Sequence, residues 1–445
     1  MAYDVFDFSL AGASALEGGV SGGGGNDLKQ QVDAWIASPP ASLMTIVYIG
    51  HDDIRTQSAM TQSLLDYGSE LDRLITAGAT AGGRAICIAI LTDYVKAPAA
   101  DPTTWFTRRE LFNEGVQSLA NARSGVYVVD LYTPFEDIFA NPAEYGLVNV
   151  VDSASGDRPG WLWSSNHHYG SYGHRLIGWI FDYCLRHRWD LTAAGDEQAA
   201  LNAEVITYLR ARSPAAWEVI AELAAHDGWA CCFDPTNPNT RTLRNSGGTD
   251  YVTAIEDGLG NWPDLVQATE AKQPLLSPGY FGKLDGLEMN GSSHSMATDS
   301  SITAVAQPTT HMQVRRLSTL AFPRFNIGMT SYGSGNEQHC YVESFSWGGY
   351  SGAFAGSGLV GGARQLTPEV MSTVFNGGSS VIYRNGTSTA SGNAGTRQIN
   401  GLTLGANVGQ AGQFWPGELG PTLVRLDGNA DARARMNAAL TAFRV

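Results

Sequence analysis

The feature that most constrains the fold is a change in hydrophobic period near Asp227. Ahead of it, continuous apolar runs alternate with helical stripes. Residues 43–49 (LMTIVYI) form one such run, closed by Gly50, and residues 84–92 (RAICIAILT) and 126–131 (VYVVDL) form two more. A short run that is apolar at nearly every position reads as a strand buried on both faces, the habit of parallel sheets. Helical patterns stand between and around these runs. Leu28, Val32, Trp35 and Ile36 share one stripe of 28–37, which Pro39-Pro40 stops, and 60–77, 107–122 and 173–187 follow. Strand and helix in alternation predict an α/β layer with a mainly parallel sheet.

Beyond Asp227 the strands become short and are separated by Gly, Asn, Ser and Pro, as in 380–384 (SVIYR) closed by Asn385-Gly386. That dipeptide is a strong signal for a tight hairpin. The chain has 52 Gly in 445 residues with no Gly-X-Y period, so the glycines mark turns and exclude a collagen-like fold. This half is expected to be all-β, a sandwich or jelly roll, ending in a helix at 430–443. In between, 195–225 is rich in Ala, Glu and Leu and broken at Ser213-Pro214, which predicts two short helices. The expected organisation is an α/β domain over 1–190, a helical linker over 191–226 and an all-β domain over 227–445.

Charge narrows the partners. There are 28 basic residues against 43 acidic ones, a net −15, and such a surface repels phosphate backbones and anionic lipid. Nucleic acid is therefore not expected as a partner. Membrane insertion is not expected either, since no 18 apolar residues run together. Met1 to Gly12 lacks the basic start and apolar core of a signal peptide, so none is expected. Five cysteines (Cys87, Cys184, Cys231, Cys232 and Cys340) have no metal-ligand spacing and read as free buried thiols. Gly22 to Gly25 is not followed by Gly-Lys-Ser/Thr and is no phosphate loop.

In an α/β sheet the chemistry sits on loops beyond the carboxyl ends of the strands. Here those loops are Ser9 to Ala15, Gly50-His51-Asp52-Asp53, and 163–174 (WSSNHHYGSYGH). Four stretches lie in order: DFSLAGASA (7–15), IVYIGHDD (46–53), VYVVDLYTPFEDIFANPAEYGLVNV (126–150), and His168 six residues before His174-Arg175-Leu176. Together they resemble the conserved blocks of the SGNH or GDSL-type lipases and esterases, over about residues 1–190. The resemblance implies a three-layer α/β domain and acyl-transfer chemistry. It carries the catalytic histidine onto His168, the aspartate that orients it onto Ser165, and the oxyanion asparagine onto Asp52. The nucleophile block precedes the stretch where this chain opens, and Ser9, in VFDFSL (5–10), is the candidate in its place.

The departures are chemical. An ionised Asp52 accepts hydrogen bonds and cannot donate one to an oxyanion. A Ser165 hydroxyl cannot balance an imidazolium by charge. His168 is then vestigial, and the domain is expected to be a degenerate, inactive relative. His167, His168 and His174 lack carboxylate or thiolate partners at ligand spacing, so no metal is expected there. Asp53 matches a structural position, and Trp161 and Trp163 read as core aromatics.

The second half carries FDPTNPNT (233–240), Gly258-Leu259-Gly260-Asn261, QATEAKQPLL (267–276), LEMNG (287–291), VIYRNGTSTASG (381–392) and LTLGAN (402–407), then Phe414, Gly417 and Leu419. Over 227–445 it resembles the concanavalin A-like and laminin-G-like jelly rolls. The resemblance implies carbohydrate binding, with Trp262, Trp347, Tyr350 and Trp415 as candidate stacking surfaces. It also raises calcium, with Glu256, Asp257 and Asp264 as the carboxylates at hand; no other cofactor is expected. The pairing of the two domains resembles virion or tail-associated proteins of bacterial viruses. It implies a non-enzymatic structural or recognition protein in a virion, with a cell-surface glycan, other virion proteins or further copies of itself as partners. The alternative is a carbohydrate or lipid esterase using His168 with Ser9 or with a serine from a partner chain.

Overall fold

The computed structural model describes residues 28–39, 44–56, 60–92, 96–97, 101–154, 156–165, 168–187, 196–299, 302–318, 324–328, 338–345, 348–363, 365–407 and 413–444. The chain divides into two compact units, meeting between Ser213 and Pro214. Among the described residues no helix is long and apolar enough to cross a membrane.

The first unit runs α1 (Leu28–Ala37), β1 (Met44–Val47), α2 (His51–Thr56), α3 (Met60–Thr76), β2 (Ala85–Ile90), α4 (Pro102–Asn121), β3 (Val126–Asp130), α5 (Tyr132–Ala140), β4 (Asn149–Ser153), β5 (Trp161–Trp163), α6 (Ser171–His187) and α7 (Asp196–Arg212). Strands β1, β2 and β3 pair in that order, all parallel, and β4 pairs with β5, also parallel. Ile86, Cys87 and Ile88 of the central strand have no exposed surface, which explains their unbroken apolar run. Side-chain caps set the helix starts. The carboxylate of Asp101 accepts the amides of Thr103 and Thr104 with Pro102 in the first turn, so α4 begins five residues earlier than its apolar stripe. Asp130 caps α5 through the amides of Tyr132 (2.8 Å) and Thr133 (3.2 Å).

The second unit runs α8 (Ala216–His226), β6 (Cys231–Phe233), β7 (Arg241–Ser246), β8 (Thr249–Ile255), β9 (Leu265–Val266), β10 (Leu275–Phe281), β11 (Leu284–Asn290), β12 (Met296–Thr298), β13 (Thr309–Leu317), β14 (Arg324–Gly328), β15 (His339–Phe345), β16 (Gly348–Phe354), β17 (Gly358–Ala363), β18 (Glu369–Phe375), β19 (Ser380–Arg384), β20 (Thr387–Gly392), β21 (Thr403–Leu404), β22 (Pro416–Arg425) and α9 (Ala430–Phe443). Every pairing is antiparallel. One sheet follows β20–β19–β18–β13–β22–β11–β10–β8–β7, with β6 beside β22. The other follows β17–β16–β15–β14–β21–β12–β9–β8. Strand β8 belongs to both and turns one into the other.

Leu287, Leu317, Met371, Phe375 and Leu419 of the first sheet share one apolar cluster with Leu265, Met296, Cys340, Ala353 and Leu404 of the second. This is a β-sandwich. Helices α8 and α9 pack on each other, α8 against β6 and α9 against β13 and β18. They lie against the first sheet at β6, β13 and β18, and its central strands β18 and β22 are buried at every position. The Asn385-Gly386 turn has both residues at positive φ (47° and 81°), as a two-residue hairpin requires. All five cysteines are free and buried. Within 191–226, α7 packs on α5 and α6 of the first unit, while α8 belongs to the second.

Candidate functional site

Three loops meet beyond the carboxyl ends of the parallel strands. After β1 the chain passes Tyr48 and Ile49 to Gly50, whose φ of +119° lets it bend into α2. The amide of Ile54 closes that turn on the Gly50 carbonyl at 3.0 Å. His51 follows, with its Nε2 3.3 Å from the Tyr48 hydroxyl. Thr92 comes just after β2, and its hydroxyl is hydrogen-bonded to that of Tyr169, from the third loop. Tyr169 is the hub. Trp163 stacks on it with ring centres 4.5 Å apart, and His51 and His174 meet it edge-on at 6.3 and 6.1 Å.

His168 lies exposed on this third loop, with the Ser165 hydroxyl 2.7 Å from its Nδ1. The loop is held tight. The Ser164 amide donates to the His168 carbonyl at 2.9 Å, and its hydroxyl to the Tyr169 carbonyl at 3.0 Å. Asp157 receives the amide of Ser171 at 2.8 Å, and the hydrogen bonds from Ser171 hold its carboxyl below the usual range. His168 and Ser165 are thus side by side, and the hydroxyl on Nδ1 is neutral. Asp52 lies in α2 directly after His51; its side chain, and Ser9 and His167 as whole residues, lie outside the described residues. Tyr48, Thr92 and Tyr169 were not legible as site residues. Their only signal is position, just past strand ends or inside a loop already suspected.

In the sandwich the aromatic candidates separate. Trp262 is 8% exposed and Trp415 1%. The Trp415 Nε1 donates to the Arg316 carbonyl at 3.1 Å and the Arg315 guanidinium covers its ring at 5.3 Å. As placed, these two fill the core and present no face on which a sugar could stack. Tyr350 is half-buried on β16, and Trp347 lies outside the described residues. The calcium candidates also separate. Asp257 is buried and its two oxygens accept four backbone amides: Cys232 (2.7 Å) and Leu259 (3.1 Å) on one, Asn261 (2.8 Å) and Trp262 (2.9 Å) on the other. Its acceptor capacity is spent on the loop. Burial, then the carboxylates of Glu256 and Asp299, raise the carboxyl of Asp264 above its usual range. Among the described residues no group of three or more His, Cys, Asp or Glu side chains is gathered as a metal site.

A second polar constellation lies inside the sandwich, unmarked by any motif. Strand β13 sends Thr309, His311, Gln313 and Arg315 inward, each at most 1% exposed. The Gln313 amide donates to the Thr422 hydroxyl at 2.7 Å. Arg315 donates to Glu369 and to the Ser351 hydroxyl, each at 2.8 Å, and Arg384 pairs with the other Glu369 oxygen at 2.7 Å.

No protein-family model matches this chain, and no curated protein matches it. The resemblance of residues 1–190 to SGNH-type hydrolases therefore rests on the sequence blocks alone. Among solved structures the chain is similar to a GH54 α-L-arabinofuranosidase soaked with a cyclic sulfate inhibitor, at 10% identity and a TM-score of 0.40, covering 51% of this chain and 65% of that one. An arabinofuranosidase complexed with arabinofuranosyl-α-1,2-xylobiose gives 12% identity and a TM-score of 0.36, covering 51% and 65%. Trypanosoma rangeli sialidase in complex with the inhibitor DANA gives 13% and 0.31, covering 54% and 38%. This chain thus spans less than two thirds of the length of each of these three.

Proposed function

We propose that the chain is a non-enzymatic recognition protein, with a glycan-binding β-sandwich unit and an α/β unit that is a degenerate, three-layer SGNH-like scaffold. The observation that carries the reading is the 2.7 Å contact of Ser165 with Nδ1 of His168. Acyl transfer by histidine needs a partner on Nδ1 that stabilises the imidazolium as it forms. A hydroxyl fixes the ring without supplying that charge. The Asp52 position adds to this, because a carboxylate there opposes a developing oxyanion, and losing one oxyanion donor costs on the order of 10²–10³ in rate. The same loop is tied down by Ser164 and capped by Asp157, so it retains a scaffold's order without the full set of reacting groups. On the sandwich, Tyr350 is the described aromatic candidate with open surface and the one assigned to sugar stacking. Assembly within a virion, with other virion proteins or with further copies of the chain, is the setting proposed for it.

Two measurements test this together. A glycan array with the full chain is expected to show binding that Tyr350→Ala weakens; an array with no binding sinks the glycan assignment. Hydrolysis of p-nitrophenyl acetate is expected at the background rate for wild type and His168→Ala alike. Turnover that disappears in His168→Ala overturns the non-enzymatic reading.

A further inference from the structure

We propose that His311 is an acid sensor built into the sandwich, and that a proton arriving on its Nδ1 opens the contact between β13 and the start of β15.

The geometry assigns the proton of the neutral ring. Nε2 of His311 lies 2.8 Å from Oε1 of Gln338, and the Thr309 hydroxyl donates to the same oxygen at 2.8 Å. The Gln338 amide nitrogen donates to the Arg397 carbonyl at 2.9 Å, which fixes the orientation of the amide. An amide oxygen only accepts, so Nε2 carries the hydrogen and Nδ1 is bare. Among the described residues Nδ1 has no hydrogen-bond partner, and the residue is 1% exposed. Both lone pairs of Oε1 are already used, so a second ring proton finds no acceptor among the described residues.

Among the described residues no carboxylate faces the ring. From β18, Thr373 stands opposite in register and Phe375 meets the ring edge-on at 5.1 Å. From β22, Val424 is the register partner. The start of β15 brings His339 and Cys340, and the thiol of Cys340 is taken by the Thr373 hydroxyl at 3.5 Å. Further along the interior Glu369 is held by both Arg315 and Arg384. The surplus charge of that group is positive and would repel an imidazolium. Burial, aided by His339, lowers His311 from 6.5 to about 4, and burial lowers His339 to about 4 as well.

A histidine whose folded value lies below its unfolded value favours the fold fully above pH 6.5 and loses that contribution as pH falls toward 4. The test compares the urea midpoints of the full chain and of His311→Gln at pH 7.5 and pH 4.5. Glutamine keeps an N–H donor for Gln338 and cannot titrate. The folded-to-unfolded ratio of wild type is expected to fall by on the order of a hundredfold more than that of the variant. Equal falls in both overturn the proposal. If His311→Gln does not fold, the imidazole nitrogen signals of wild type decide. A His311 ring neutral and protonated on Nε2 down to near pH 4 supports the sensor, and titration near 6.5 overturns it.

Discussion

The ring of Phe112 fills the space that a β-carbon on Gly50 would occupy: such a carbon would lie 2.3 Å from its Cζ atom and 2.9 Å from Leu91. The backbone there is also at φ +119°, where side chains are rarely tolerated. Gly50→Ala is therefore expected to destabilise the first unit by on the order of 2–4 kcal/mol, combining backbone strain and overpacking. A drop of that size in the urea midpoint of this unit, followed by helix circular dichroism, is the expected result. An unchanged midpoint would show that the Gly50 bend is not held as described.

Glu369 is the carboxylate shared by Arg315 and Arg384, with side chains 4%, 1% and 14% exposed. Glu369→Gln keeps the shape and leaves two guanidiniums without their countercharge. Breaking a buried pair this way costs about 3–5 kcal/mol. The cost should appear in the denaturant midpoint of the sandwich unit and persist in 1 M salt, since buried charges are poorly screened.

Asp234 should respond in the opposite sense. One of its oxygens accepts the Thr236 amide at 2.8 Å, the other is buried with no partner among the described residues, and burial raises the carboxyl from 3.8 to about 6. The folded chain holds this proton more tightly than the unfolded chain. The charged form thus penalises the fold in full above pH 6, and the penalty is gone below about pH 4. Asp234→Asn is expected to stabilise at pH 7.5, by up to about 3 kcal/mol, with the gain shrinking to nothing toward pH 4. A gain independent of pH would contradict this origin.

Asp257 organises its loop through four backbone amides. Asp257→Ala leaves those donors buried and unpaired, at about 1–3 kcal/mol for each that water does not reach. The loss is expected to be the same with and without EDTA. A wild-type midpoint that itself drops on adding EDTA would point back to calcium.

Much of this architecture is legible in the sequence, and the misses have physical causes. Runs such as 84–92 announce buried parallel strands because every side chain there meets protein. Helix α5 is hidden because YTPFEDIFA carries Pro134, which fits a first turn and looks like a breaker in a linear reading. Strands β4 and β5 are too short to show a period. At the site, the spacing of Ser165 and His168 is enough to place them together, whereas the Tyr169 hub depends on three loops converging. The polar row of β13 is the least legible. THMQVRRL alternates, and alternation alone would send His311, Gln313 and Arg315 to water. Met312 and Val314, on the opposite face, are fully buried on the helix-covered side, so both faces are interior and the polar set is enclosed.

The helical cover has a practical consequence for anyone dividing the molecule. The change in hydrophobic period near Asp227 looks like the natural place to cut. A fragment beginning there would lose α8, and with it Val219, Ile220 and Leu223, all buried in the second unit. Asp227 itself is tied to Arg435 of α9 at 2.7 Å, so the cut would fall on a fastening between the two helices. The stripped apolar surface would invite association of one fragment with another. A fragment opening at Pro214 keeps that lid in place, and is the one that should remain monodisperse on gel filtration.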